Sequence, residues 1–146
     1  MTWSTIENLK RSYHRGRVPD HGVAVGTRAC GRNGRVYYIC LQIGRDLARA
    51  ARFAQDEQGV RLMLGGGSDA GKIAIVIDQT AGNFVARKQK NGSYKITIGA
   101  PAAAGHFATK FESFSHQRIE AVRPENGQPP MFTFKASDAM LNADAD

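Results

Sequence analysis

Apolar residues recur at every second position through several short stretches of the chain, and the pattern is clearest in Val36–Ile43. Tyr37, Ile39, Leu41 and Ile43 share one face of an extended segment, and Val36, Tyr38, Cys40 and Gln42 share the other. Both faces are largely apolar, which predicts a strand in a central position of a sheet. Gly44 ends this alternation and the period then lengthens. Over Arg45–Ala54, Leu47, Ala50, Ala51 and Ala54 fall on one side at helical spacing and Arg45, Arg49 and Arg52 on another. That pattern predicts a helix of about three turns, small and apolar toward a sheet and basic toward its surroundings. Upstream, Val23–Ala29 reads as a strand joined to Val36–Ile43 through Asn33-Gly34, a dipeptide whose tolerance of positive φ favours a tight hairpin.

The same grammar continues downstream. Val60–Leu64 and Ile73–Ile77 predict two strands joined by the glycine-rich segment 65–72. Phe84–Lys88 and Tyr94–Ile98 predict a second hairpin around Asn91-Gly92, and Gly99 follows it as Gly44 follows the first. The alanine-rich segment Pro101–Thr109 predicts a short helix, with Pro101 in its first turn. Ile119–Val122 and Met131–Phe134 predict a last strand pair. Residues 4–14 predict an N-terminal helix opened by a Ser4–Glu7 capping box, followed by a connector that Pro19 and Gly22 keep irregular. The chain thus divides into a basic N-terminal helix and connector (1–22), a first ββαββ half (23–78), a second ββαββ half (84–136) and an acidic flexible tail (137–146). The shared element order, with Asn33-Gly34 matched by Asn91-Gly92 and Ile43-Gly44 by Ile98-Gly99, reads as an internal duplication. The expected fold is α+β and mostly β, with two similar halves in one compact barrel-like domain.

Charge sharpens this picture. The chain of 146 residues carries a formal charge of +7, and residues 1–54 hold ten Lys or Arg against three Asp or Glu. Residues 55–146 hold ten of each, so the whole excess lies in the first third. Arg28, Arg32 and Arg35 cluster about the tip of the first hairpin, and Arg45, Arg49 and Arg52 follow on the helix. Arginine suits bidentate phosphate contact, so these six are the candidate nucleic-acid-binding residues. Other chemistry is thin. Gly66-x-x-x-x-Gly71-Lys72 approaches a phosphate-binding loop, but Ile73 stands where a hydroxyl would ligate Mg²⁺ and a strand follows where a helix is needed. His14, His21, His106 and His116 show no metal-ligand spacing, and Cys30 and Cys40 have no adjacent base. The sequence therefore offers no catalytic residue, cofactor or metal site. The two cysteines are expected to be reduced, and the polar start MTWSTIENLK and the strand-sized apolar runs lead us to expect a cytoplasmic location and no membrane partner.

The segment running from Gly34-Arg35-Val36 through Ile43-Gly44-Arg45-Asp46-Leu47-Ala48-Arg49, with Val60-Arg61-Leu62 and Lys72–Ile77 after it, resembles swapped-hairpin DNA-binding modules of the AbrB/SpoVT/MraZ type. The resemblance implies two repeats interleaved in one small barrel, with DNA bound by basic residues near the first hairpin and helix. Here those are Arg28, Arg32, Arg35, Arg45 and Arg49, with Arg52 beside them. The chain departs from the pattern at Gly44 and Gly99, where the family has proline, and at 55–59, where the family has a Gly-Asp turn. Its second half also lacks a basic helix. The leading expectation is a non-enzymatic nucleic-acid-binding protein, a small DNA-binding regulator. The alternative is a protein-interaction or structural module of a mobile element, using its basic face on an acidic protein. A small enzyme using His106 or His116 is a third reading.

Overall fold

The computed structural model describes residues 18–30, 36–79, 84–99, 105–123 and 127–142. Strands β1 (Val23–Cys30) and β2 (Val36–Ile43) pair antiparallel, with Val23 opposite Ile43 and Cys30 opposite Val36. The register puts Val25, Leu41 and Ile43 on one face, essentially inaccessible, with Ile39 beside them. A short helix α1 (Arg45–Ala50) follows, then β3 (Glu57–Leu64), β4 (Lys72–Ile77), β5 (Phe84–Lys88), β6 (Tyr94–Ile98), β7 (Phe114–His116), β8 (Met131–Lys135) and a last turn of helix, α2 (Asp138–Leu141). All eight strands join one antiparallel sheet in the order β7-β1-β2-β6-β5-β3-β4-β8. The sheet curls into a nearly closed barrel. Across the remaining seam the His116 Nε2 donates to the Lys135 carbonyl at 2.7 Å, and the His116 ring lies 5.9 Å from that of Phe134.

Alternation carries the core around the sheet. Val23, Val25, Ile39, Leu41, Ile43, Val60, Ile73, Ile75, Ala86, Ile96, Ile98, Phe132 and Phe134 fill the interior. β2 does occupy a central position, between β1 and β6. Leu47, Ala48 and Ala51 of α1 and its end pack onto this core, and Phe53 meets Tyr94 edge-on at 5.1 Å. The Tyr94 hydroxyl donates to the Gln55 carbonyl at 2.9 Å. Burial, helped by the Asp56 carboxylate, pushes the Tyr94 phenol above its ordinary pKa. The buried Gln58 accepts the Ala54 amide at 3.2 Å through its side-chain oxygen, tying the segment after the helix to β3.

Several expectations need correction. The helix ends at Ala50 rather than Ala54, so it has fewer than two turns. The Phe53 amide reaches back to the Ala48 carbonyl (2.9 Å) and the Arg52 amide to Arg49 (3.0 Å), a Schellman closure with Arg52 in the left-handed position at φ 67°. The buried side is accordingly Leu47, Ala48 and Ala51, while Ala50 and Ala54 are exposed. Residues 105–109 are turns and bends rather than helix, with 100–104 outside the described residues. Ile119–Val122 is not a strand. Only Val122 bridges to Met131, and the strand that joins the sheet here is Phe114–His116. The expected helix at 4–14 and the first Asn-Gly turn lie outside the described residues. Among the described residues, no helix is long and apolar enough to cross a membrane.

The junction between β2 and α1 depends on Gly44. Its amide donates to the Gly22 carbonyl at 2.9 Å, and the Asp20 carbonyl accepts both the Asp46 and Leu47 amides, at 2.9 and 3.1 Å. This backbone oxygen caps a helix that has no side-chain cap. A Cβ on Gly44 would lie 2.0 Å from the Pro19 oxygen and 2.4 Å from that of Asp20. The backbone at Gly44 is ordinary extended chain (φ −62°), so the requirement is for space, not for conformation. Gly44→Ala is therefore expected to lower unfolding free energy by roughly 2–3 kcal/mol, as overpacking does, measured by urea denaturation against wild type.

Candidate nucleic-acid interface

The β1–β2 register and the position of α1 decide where the candidate arginines stand. Arg28 is exposed near the turn end of the hairpin, opposite Tyr38. Arg45 and Arg49 are exposed on α1 and Arg52 is exposed just after it, beyond the other end of β2. From Tyr38 to Arg45 the chain runs seven residues, about 20 Å at strand rise. Among the described residues the structure thus places Arg28 and the arginines of α1 and its end at opposite ends of one hairpin. Arg32 and Arg35 lie outside the described residues, as do Lys10, Arg11, Arg15 and Arg17.

The helix group sits among acids. Arg45 reaches Asp20 at 3.4 Å, Arg49 reaches Asp46 at 3.9 Å, and His21 Nε2 lies 3.3 Å from Asp46. These pairs are largely exposed, and such pairs contribute about 0–1 kcal/mol, so exchanging one for a phosphate contact costs little. They also lower the local positive field below what the sequence count implies.

Between the two groups lies a groove of about 660 Å³ on the outer face of the hairpin. Its outward ladder pairs Ala24 with Gln42, Gly26 with Cys40 and Arg28 with Tyr38. Ser113, Phe114 and Ser115 form the wall beyond β1. Ser113 leans close to Gly26, where a Cβ would meet its Oγ at 2.5 Å. On the other side β6 brings Thr97 beside Cys40 and Lys95 beside Gln42. Cys40 is a free thiol, 5% exposed, on the groove floor. Sequence reasoning missed this surface because its wall comes from a distant three-residue strand that carries no periodic signal.

The remaining candidates fall elsewhere. His116 is held at the barrel seam and His106 is exposed beside Phe107, and neither lines the groove. Lys72 pairs with Asp69 at 3.2 Å, in a loop that returns directly into β4 as a strand. Among the described residues, no three His, Cys, Asp or Glu side chains gather as metal ligands.

Arg52 gives a test that separates stability from charge. A non-glycine residue at positive φ costs about 1 kcal/mol, so Arg52→Gly is expected to raise unfolding free energy by up to that amount. If Arg52 contacts phosphate, the same variant binds nucleic acid more weakly while melting higher, which paired melting and binding curves would show. Compared with family models, curated proteins and solved structures, the chain matches none.

Proposed function

We propose that this chain is a non-enzymatic nucleic-acid-binding protein, a small DNA-binding regulator, built from two interleaved ββαββ-type halves. The observation that carries the reading is the strand order. Let β1–β4 correspond to β5–β8. Exchanging the halves then carries β7–β1 onto β3–β5 and β1–β2 onto β5–β6, and leaves β2–β6 and β4–β8 in place. Only β3–β4 lacks a hydrogen-bonded counterpart, and its image is the β7–β8 seam that His116 spans. The hairpin β1–β2 is flanked on both sides by strands of the other half, β7 and β6, and the hairpin β3–β4 by β5 and β8. That interleaving is what the swapped-hairpin resemblance implies, and with it comes the expectation of DNA contact through the first hairpin and helix. The exposed Arg28, Arg45, Arg49 and Arg52 are consistent with such contact, and the segment at 105–109 departs from the pattern where a second helix would stand.

The test is fluorescence anisotropy with a labelled random duplex and a labelled single strand, each titrated across salt concentration. With roughly seven phosphates neutralised, the expected log–log slope is about −6. The triple variant Arg45→Gln, Arg49→Gln, Arg52→Gln is expected to weaken binding and to make the slope shallower by about 3. Absence of binding to either form even at low salt would reject the reading in favour of an acidic protein partner for the same basic residues.

A further inference from the structure

We infer that the groove on the outer face of β1 and β2 holds an unpaired nucleotide, so that the form of nucleic acid this surface selects is a single strand. The inference rests on the proposed nucleic-acid reading and narrows it to one ligand. Four observations on the groove point the same way. Among the described residues its lining contains no carboxylate and one cation, Arg28, which favours an anionic occupant. Ala24 keeps the floor low at one end, and the Ser113 Oγ stands over Gly26, where its hydroxyl can donate to or accept from an occupant. Tyr38 stands next to Arg28 across the hairpin, an aromatic surface beside a phosphate-binding group. Gln42 offers both a donor and an acceptor at the other end, suited to the edge of a base.

Size and position choose between single strand and duplex. About 660 Å³ falls within the range of small-ligand pockets, roughly 300–1,000 Å³, and suits one or two nucleotides. A duplex offers only base edges and phosphates to a protein surface, while a ring lying in a slot requires an unstacked, unpaired base. The groove also lies along β2 between Arg28 and the arginines of α1. A strand whose backbone meets both arginine groups runs along this floor, and Lys95, beside Gln42 on β6, lies next to its path. The separation of the two arginine groups, unhelpful for a single compact contact, becomes the length of the track.

The experiment compares a labelled oligothymidylate with a duplex of similar length, by anisotropy at low salt, for wild type, Tyr38→Leu and Arg28→Gln. Tyr38→Leu is expected to weaken single-strand binding about ten-fold, the loss of one stacked base, and to change duplex binding less than about two-fold. Circular dichroism and melting show whether each variant retains the fold. Photo-cross-linking of the wild-type protein to an oligonucleotide carrying 5-iodouracil supplies a readout independent of any variant, with adducts expected on the peptide containing Tyr38. Duplex binding without single-strand binding, or single-strand binding unchanged in both variants, or adducts confined to peptides outside the groove, would each overturn the inference and leave the nucleic-acid reading standing. Failure to bind either form would overturn both.

Discussion

The barrel depends on the hairpin β1–β2 finding partners that the chain supplies much later. β2 pairs with β6 some fifty residues downstream, and β1 pairs with β7 farther still. Neither hairpin of the first half can bury its edges with its own half alone, since β1–β2 and β3–β4 do not pair with each other. Hydrophobic burial on the shared inner face therefore becomes available only when the two halves interlock, and the entropy of closing those loops opposes it until then. One cooperative core is the consequence, and β1–β4 in isolation would expose four strand edges, two on each hairpin.

That arrangement also governs where chemistry can sit. The interior is closed by aliphatic and aromatic side chains, so ligand contact falls to the outer face and to the segments at the strand ends. On the outer face the first hairpin is poor in bulk, with Ala24 and Gly26 along β1, while β3 pairs its charges with both neighbours, Glu57 with Arg87 of β5 and Arg61 with Asp78 just after β4. The barrel thus has one outer region where small residues leave a groove and another where exposed ion pairs occupy the surface.

The strand pairs, the central place of β2 and the break at Gly44 were legible because alternation, and at the second hairpin the Asn91-Gly92 dipeptide, report local physics directly. Phe114–His116 was not. Three residues are too few to show a period, and they become a strand only because Val23–Val25 stands ready to pair with them. The helix end was misread for a related reason. Glycine is the usual sign of a left-handed closing residue, and here Arg52 holds that position, fixed by the buried Phe53 that follows it. The candidate arginines were legible as a list, but their division between two ends of a hairpin needed the register. The helix spacing that placed Arg45 and Arg49 together also hid the acids at 20 and 46 that share their surface.

Gly44 shows how a helix entry can be fixed by a neighbouring segment. A proline at this point would supply a rigid entry to the helix but no amide proton. Here the amide is used, donating to Gly22, and the absent side chain leaves room for the Pro19 and Asp20 carbonyls. The Asp20 oxygen then satisfies two of the first amides of α1, which rigidifies the same entry by a different means. The segment before β1 lies so close that neither proline nor any residue with a Cβ fits at 44 without displacing it. The requirement for glycine at 44 thus follows from the position of residues 19–22, which couples the start of the barrel to the entry of α1.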